Sequence, residues 1–189
     1  MCGIIGIVGR GPATQRLVES LRRLEYRGYD SAGVATLEGG RLGSRREQGK
    51  LRNLEAVLNR EPLAGETGIG HTRWATHGPP AERNAHPQRA GRVAVVHNGI
   101  IENFAALKAE LQAQGRTFTS DTDTEVIAQL IDRELGTTPH ALTAFKAVLD
   151  RLEGAYALGV LVEGEEGQVL GARRRSSAPP TWAATPAES

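Results

Sequence analysis

The residues of this chain that could do chemistry begin at its second position. Cys2 is the only cysteine among 189 residues, and it stands where removal of Met1 would expose it as the N-terminus. An N-terminal cysteine carries a nucleophile and a base on one residue. An unperturbed thiol titrates at about 8.5 and an α-amine at about 7.7–8.0, so near neutral pH an uncharged amine can take the thiol proton directly or through one water. A thiolate that attacks an amide carbonyl also needs donors for the developing oxyanion. Asn98-Gly99, at the end of the apolar run Val93-Ala94-Val95-Val96-His97, offers a side-chain amide and a backbone N–H together. Arg73, at a strand end beside a polar loop, suits a two-pronged grip on a carboxylate, and Asp123, ahead of a helical apolar pattern, could pair with an ammonium group. Together those two would recognise the head of an α-amino acid.

Each residue also has a plainer reading, which the pattern alone leaves open. A cysteine can be a small buried apolar residue, Asn-Gly a tight hairpin turn, Arg73 half of a surface ion pair and Asp123 a helix-dipole partner. A metal is not expected, because His71, His77, His86 and His97 lie on extended or looped segments and no His-Glu-x-x-His spacing occurs. A dinucleotide fold is disfavoured too. Gly6, Gly9 and Gly11 run G-x-x-G-x-G rather than G-x-G-x-x-G, after a strand that starts at the chain's beginning.

Composition narrows the classes further. The formal charge is +1, from 23 basic and 22 acidic residues, and aromatics make up 4%, so neither a nucleic-acid field nor a base-stacking surface is expected. A triple arginine, Arg173 to Arg175, reads as a solvated charge run. One cysteine excludes a disulfide framework and suits a reducing compartment. The run Ile4-Ile5-Gly6-Ile7-Val8 is too short to span a bilayer and lacks a basic leader. The expectation is a soluble, cytoplasmic chain of one domain, without nucleic-acid or membrane partners; oligomerisation stays open.

The elements that would position these residues follow from periodicity. Residues 3–9 read as a buried strand closed by Gly9-Arg10-Gly11-Pro12; Leu17, Val18, Leu21 and Leu24 mark an amphipathic helix ending near Gly28. Residues 34–37 and 41–47 read as a hairpin about Gly39-Gly40, 50–60 as a helix, 67–74 as a strand and 75–91 as an exposed loop. A strand from Val93 is expected to stop at Asn98-Gly99. Helices then follow on Ile101, Phe104, Leu107 and Leu111; on Val126 to Leu135, with Thr122 and Glu125 at capping-box spacing; and on Leu142 to Leu152. Residues 154–162 and 167–172 read as a last hairpin, and 173–189 as an extended or disordered tail. Helices and hairpins around buried strands give a layered α+β architecture.

Five segments taken together carry a family resemblance. Met1-Cys2-Gly3-Ile4-Ile5-Gly6, residues 24–33, His71-Thr72-Arg73-Trp74-Ala75-Thr76-His77-Gly78, Val96-His97-Asn98-Gly99-Ile100-Ile101-Glu102-Asn103 and Thr122-Asp123-Thr124-Glu125 resemble, in order, the class II glutamine amidotransferase domain of the glucosamine-6-phosphate synthase family. The resemblance runs from residue 1 to about 172. It implies a four-layer αββα N-terminal-nucleophile hydrolase sandwich and an enzyme that needs no cofactor. Cys2 would attack the side-chain amide of L-glutamine to give a glutamyl thioester and ammonia, with Asn98 and Gly99 as the oxyanion hole. Arg73 would bind the glutamine carboxylate and Asp123 its ammonium. The loop holding Trp74, Thr76, His77 and His86 would close over glutamine, and Arg27 would support the site from behind.

The chain also departs from that family. A sugar-phosphate isomerase region is absent, so making glucosamine 6-phosphate would require a separate isomerase chain. Further strands are expected where the sequence turns instead to Arg175-Ser176-Ser177-Ala178-Pro179-Pro180, which reads as a frameshift or truncated frame that would leave the sandwich incomplete at its C-terminal end, with exposed sheet edges. Two readings follow: a glutaminase domain, or an inactive fragment or non-catalytic glutamine-binding module.

Overall fold

The computed structural model describes residues 2–74 and 78–174, and the strand backbone of 181–184. Two sheets form the centre. The first has the order β3-β2-β4-β1-β9, from β1 (Gly3–Val8), β2 (Ser31–Glu38), β3 (Arg41–Gln48), β4 (Thr67–Arg73) and β9 (Thr181–Ala184). The second has the order β5-β6-β7-β8, from β5 (Gln88–Ala90), β6 (Val93–Ile101), β7 (Gly154–Val162) and β8 (Leu170–Arg174). Helices α1 (Ala13–Arg22) and α2 (Leu51–Arg60) pack on the first sheet. On the second pack α3 (Phe104–Ala113), α4 (Asp123–Glu134) and α5 (Ala141–Leu149).

Side-chain alternation along the strands builds these layers. Because successive residues of a strand point to opposite faces, Ile5 and Ile7 of β1 pack with Leu17, Leu21 and Leu54 of the outer helices, while Ile4 turns inward. In β6, Val93 and Val95 face α4 with Ile127 and Leu130, and Ala94 and Val96 face the other sheet. The inward residues, Ile4, Ala35, Leu37, Ile69, Ala94, Val96, Ala157 and Leu161, form a separate cluster between the sheets. Three apolar interfaces thus join four layers in the order αββα. Small residues at Ala35, Ala94 and Ala157 let the two sheets approach closely.

Several local expectations shift. The strand from Val93 does not stop at Asn98-Gly99 but continues to Ile101, because β7 pairs with it throughout, Asn98 opposite Ala157, Gly99 opposite Tyr156 and Ile101 opposite Gly154. Asn98-Gly99 is therefore not a hairpin turn, and Ile101 belongs to a strand rather than opening α3. The loop 75–91 contains a 3₁₀ turn at Glu82–Asn84 and the short strand β5. The Thr122/Glu125 capping box does not form. Thr122 makes no side-chain cap, and the buried Glu125 carboxylate accepts the backbone N–H groups of Thr119 and Ser120.

The expected tail boundary also moves. Arg173 and Arg174 belong to β8, and residues 181–184 run parallel to β1, with Gly6 opposite Trp182. β1 is thus flanked on both sides, by β4 and β9. The remainder of the expected tail, 175–180 and 185–189, lies outside the described residues.

Candidate active site

Antiparallel pairing brings three chain segments to one end of the first sheet. Gly3 lies opposite Thr72 and Ser31 opposite Arg73, so the start of β1, the end of β4 and the start of β2 share that end. Cys2, Arg73-Trp74 and Asp30 are neighbours for this reason. Gly28 permits the approach of the preceding turn, since a Cβ there would lie 2.6 Å from the Arg73 carbonyl carbon. The end of β6 reaches the same place from the second sheet, carrying Asn98 and Gly99.

The Cys2 sulfur accepts the Trp74 backbone N–H at 3.2 Å and lies 3.5 Å from the Trp74 carbonyl oxygen. Burial pushes the thiol pKa up, more than the Trp74 N–H and the Arg73 charge pull it back. The thiol is therefore protonated near neutral pH, and its use as a nucleophile requires a base. The Cys2 backbone carbonyl accepts the Asn98 side-chain N–H at 3.0 Å. Gly99 follows at φ +126°, where an added Cβ would lie 2.0 Å from the Ala155 carbonyl oxygen; only glycine fits this irregular strand position.

Arg73 points between the sheets, on the face of β4 that also carries Ile69. It is 3% exposed, and its Nη2 donates to the Gly78 carbonyl at 3.2 Å. Burial lowers its pKa, while the carboxylates of Asp30 and Asp123 support the charge. Asp123 opens α4, and its Oδ2 accepts the Ile101 N–H at 3.0 Å, which ties the helix start to the end of β6. Its Oδ1 lies 3.7 Å from His97 Nδ1. Trp74 is 49% exposed at the site's edge and meets Tyr29 edge-to-face at 5.6 Å.

Behind these groups lies a buried polar layer that residue spacing did not reveal. His71, on the inward face of β4, reaches Asn98 Oδ1 at 2.9 Å and the His97 carbonyl at 3.1 Å through Nε2. The His71 and His86 rings stack with centroids 4.4 Å apart. Thr124 Oγ1 bridges His86 Nε2 at 2.7 Å and His97 Nδ1 at 3.0 Å. Burial holds His71 down to about 3 and His86 well below the ordinary histidine value, so both rings are neutral. Among the described residues no group of three or more His, Cys, Asp or Glu is arranged to hold a metal.

Of the residues singled out from the sequence, the structure brings Cys2, Arg73, Trp74, Asn98, Gly99 and Asp123 to one place. His86 is not on an open loop; it is 5% exposed, beneath His71. The segment carrying it is fastened to the turn before α4, where Asn84 Oδ1 accepts the Asp121 N–H at 2.9 Å. Arg27 sits on a 3₁₀ turn with its Nε on the Tyr26 hydroxyl at 3.1 Å. Thr76 and His77 lie outside the described residues. His71 was weighed only as a possible metal ligand, and Thr124 and Asp30 were not singled out. The alternation Ile69, His71, Arg73 along one strand was the signal available for His71.

Comparison with known proteins decides the family. A family model described as the glutamine amidotransferase domain matches residues 71–187. The chain belongs to the glutamine amidotransferase domain family. It is 69% identical over 176 residues to a glutamine–fructose-6-phosphate aminotransferase (isomerizing) from Caulobacter vibrioides, covering 93% of this chain and 29% of that protein. The protein of the same name from Gluconobacter oxydans is 60% identical over 174 residues, 92% of this chain and 29% of its own length. Among solved structures, the glutamine phosphoribosylpyrophosphate (PRPP) amidotransferase from B. subtilis, complexed with ADP and GMP, aligns at a TM-score of 0.73 and 31% identity, over 86% of this chain and 35% of its own. The αββα sandwich is thus that of an N-terminal-nucleophile amidotransferase, and the chain spans under a third of the length of the aminotransferases it matches. Among the described residues, no helix is long and apolar enough to cross a membrane.

Proposed function

We propose that this amidotransferase domain hydrolyses the side-chain amide of L-glutamine through Cys2 and supplies the ammonia for amination of fructose 6-phosphate. The observation that carries the reading is the grouping of Cys2, Asn98, Arg73 and Asp123, with Asn98 hydrogen-bonded to the nucleophile's own carbonyl. Loss of Met1 would give Cys2 a free amine. That amine takes the thiol proton, and the thiolate attacks the amide carbon of glutamine.

The negative charge then develops on the carbonyl oxygen. One N–H of the Asn98 amide is committed to the Cys2 carbonyl, which leaves the second for the oxyanion, with the Gly99 N–H beside it. Collapse of the intermediate breaks the carbon–nitrogen bond. The protonated amine returns its proton to the leaving nitrogen, and ammonia departs from a glutamyl thioester. Water, deprotonated by the same amine, attacks the thioester; glutamate leaves and the thiol is restored. Arg73 takes the substrate carboxylate and Asp123 its ammonium; Trp74, Thr76 and His77 would serve as further substrate-binding residues, with His86 beneath the described site and Arg27 on the turn behind.

The ammonia would be consumed by a sugar-phosphate isomerase region, carried on a longer form of this chain or on a separate one, as the names of the aminotransferase relatives suggest. A reducing cytoplasm suits a single catalytic thiol. Intact-mass spectrometry with a diazoketone analogue of glutamine tests the reading. The expected result is a Met-free chain labelled once at Cys2, protected by glutamine and unlabelled in Cys2→Ala. An unlabelled chain, or labelling that glutamine does not block, would favour an inactive fragment or a non-catalytic glutamine-binding module instead.

A further inference from the structure

The Asn98 amide can act on an oxyanion only if its nitrogen, not its oxygen, faces the nucleophile. The hydrogen-bond pattern around it settles that orientation. The Cys2 carbonyl at 3.0 Å can only accept, so Nδ2 faces Cys2 and Oδ1 faces away, toward His71 Nε2 at 2.9 Å. The second neighbour of His71 Nε2, the His97 carbonyl at 3.1 Å, can also only accept. Both contacts require a hydrogen on Nε2. His71 Nδ1 has no hydrogen-bond partner among the described residues, as befits a bare ring nitrogen rather than a buried unpaired N–H.

We infer that His71 is the positioning residue of the oxyanion hole: its Nε2–H, shared between Asn98 Oδ1 and the His97 carbonyl, locks the Asn98 amide with its N–H groups toward Cys2. The inference rests on the reading of Asn98 as an oxyanion donor. His71 suits the task because it crosses from β4 of one sheet to β6 of the other and so fixes the site across the interface between the sheets. It stands opposite Ile4 on one side and Gly33 on the other, so its backbone is held by strands at both edges. Its ring is in turn packed on His86, which Thr124 fastens to the first turn of α4 next to Asp123. The neutral ring is essential. A second ring proton would have no acceptor at Nδ1 among the described residues.

The test combines a spectroscopic and a kinetic measurement on the full chain. In ¹⁵N-labelled wild-type protein, His71 is expected to show a protonated Nε2 and a bare Nδ1; the opposite tautomer overturns the inference. His71→Leu removes the donor within an apolar interface, and His71→Gln retains an amide N–H near the position of Nε2. Misplacing one oxyanion donor costs part of the 10²–10³-fold that losing it costs, so His71→Leu should lower kcat for glutamine hydrolysis by roughly 10- to 100-fold, with KM changed less than about threefold. His71→Gln should recover most of that loss. Wild-type kcat in His71→Leu, or a joint collapse of kcat and KM without recovery in His71→Gln, would show that the histidine merely fills space. If the wild type hydrolyses no glutamine, the functional reading fails, and the mobility of the Asn98 side-chain amide decides. An amide mobilised in His71→Leu and ordered in His71→Gln upholds the positioning role, and one that stays ordered in both rejects it.

Discussion

Asn98 donates its side-chain N–H to the backbone carbonyl of Cys2 across the two sheets, at 3.0 Å. The donor that would stabilise the oxyanion is thereby set by the position of the nucleophile's own backbone. Replacing Asn98 with alanine removes both functions at once. The expected result is a 10²–10³-fold fall in kcat for glutamine hydrolysis, about 2.7–4 kcal/mol of transition-state stabilisation. Steady-state ammonia release measures it, and a loss of less than tenfold would show that Asn98 is not a principal oxyanion donor.

The neutral histidine layer makes stability depend on pH in a definite direction. In the unfolded chain His71 and His86 gain a proton as pH falls through about 6.5. In the folded chain burial keeps His71 unprotonated down to about 3 and His86 well below its ordinary value. Between those limits the unfolded state binds more protons, so stability is greatest above pH 6.5 and is lost as pH falls, by up to about 1.4 kcal/mol per pH unit for each ring. Urea midpoints at pH 7.5, 6 and 5 follow this loss. A midpoint that does not move over that range would contradict the burial of two neutral rings.

Gly99 offers a stability test that involves no substrate. An alanine there must adopt φ near +126° with its Cβ 2.0 Å from the Ala155 oxygen, so β6 and β7 have to separate locally. The backbone conformation alone costs about 1–3 kcal/mol, and the clash adds to it. Gly99→Ala should lower the urea midpoint accordingly and widen hydrogen exchange along Tyr156 and Ala157. Wild-type stability would mean that this strand is more regular than the structure shows.

Glu125 is buried at the start of α4 and holds the Thr119 and Ser120 N–H groups. Truncation to alanine leaves the buried Ser120 N–H unsatisfied, while the exposed Thr119 can turn its N–H to water. Since an unpaired buried donor costs about 1–3 kcal/mol, Glu125→Ala should destabilise by about that much, read from thermal or urea unfolding. Glu125→Gln retains one acceptor oxygen and should lose less. Equal loss in both would point to the charge rather than to the accepted hydrogen bonds.

What could be read from the sequence was what is local. The β-branched run ended by Gly9-Arg10-Gly11-Pro12 and helical spacing in Leu17 and Leu21 gave the right elements, because both signals depend on near neighbours only. Asn98-Gly99 shows where local reading ends. The pair signals a turn, yet β7, more than fifty residues later, continues the ladder past it. His71 was weighed only as a metal ligand and its place in the site was missed for the same reason: its partners are 26 and 27 residues away on the other sheet. The capping box failed because Glu125 found two better donors just outside the helix. Residue chemistry and the family resemblance put forward Cys2, Arg73, Asn98 and Asp123, but the buried histidine layer behind them is set by how the two sheets face each other.

Asp123 separates recognition from folding in a single substitution. Its Oδ2 accepts the Ile101 N–H at 3.0 Å, and an asparagine oxygen can make the same bond, so Asp123→Asn should fold as the wild type does. The negative charge that the proposed function assigns to the glutamine ammonium is lost, however. A charge-assisted contact is worth about 1.5–3 kcal/mol, which corresponds to a rise in KM of roughly 10- to 100-fold with kcat much less affected. Buried Arg73 would then have lost one of the two carboxylates that support its charge, keeping Asp30. Glutamine lacking its α-amine should accordingly distinguish the two proteins poorly. If Asp123→Asn raises KM for glutamine and leaves that for the deaminated amide unchanged, Asp123 reads the ammonium. An equal rise for both substrates would instead assign Asp123 to holding α4 in place.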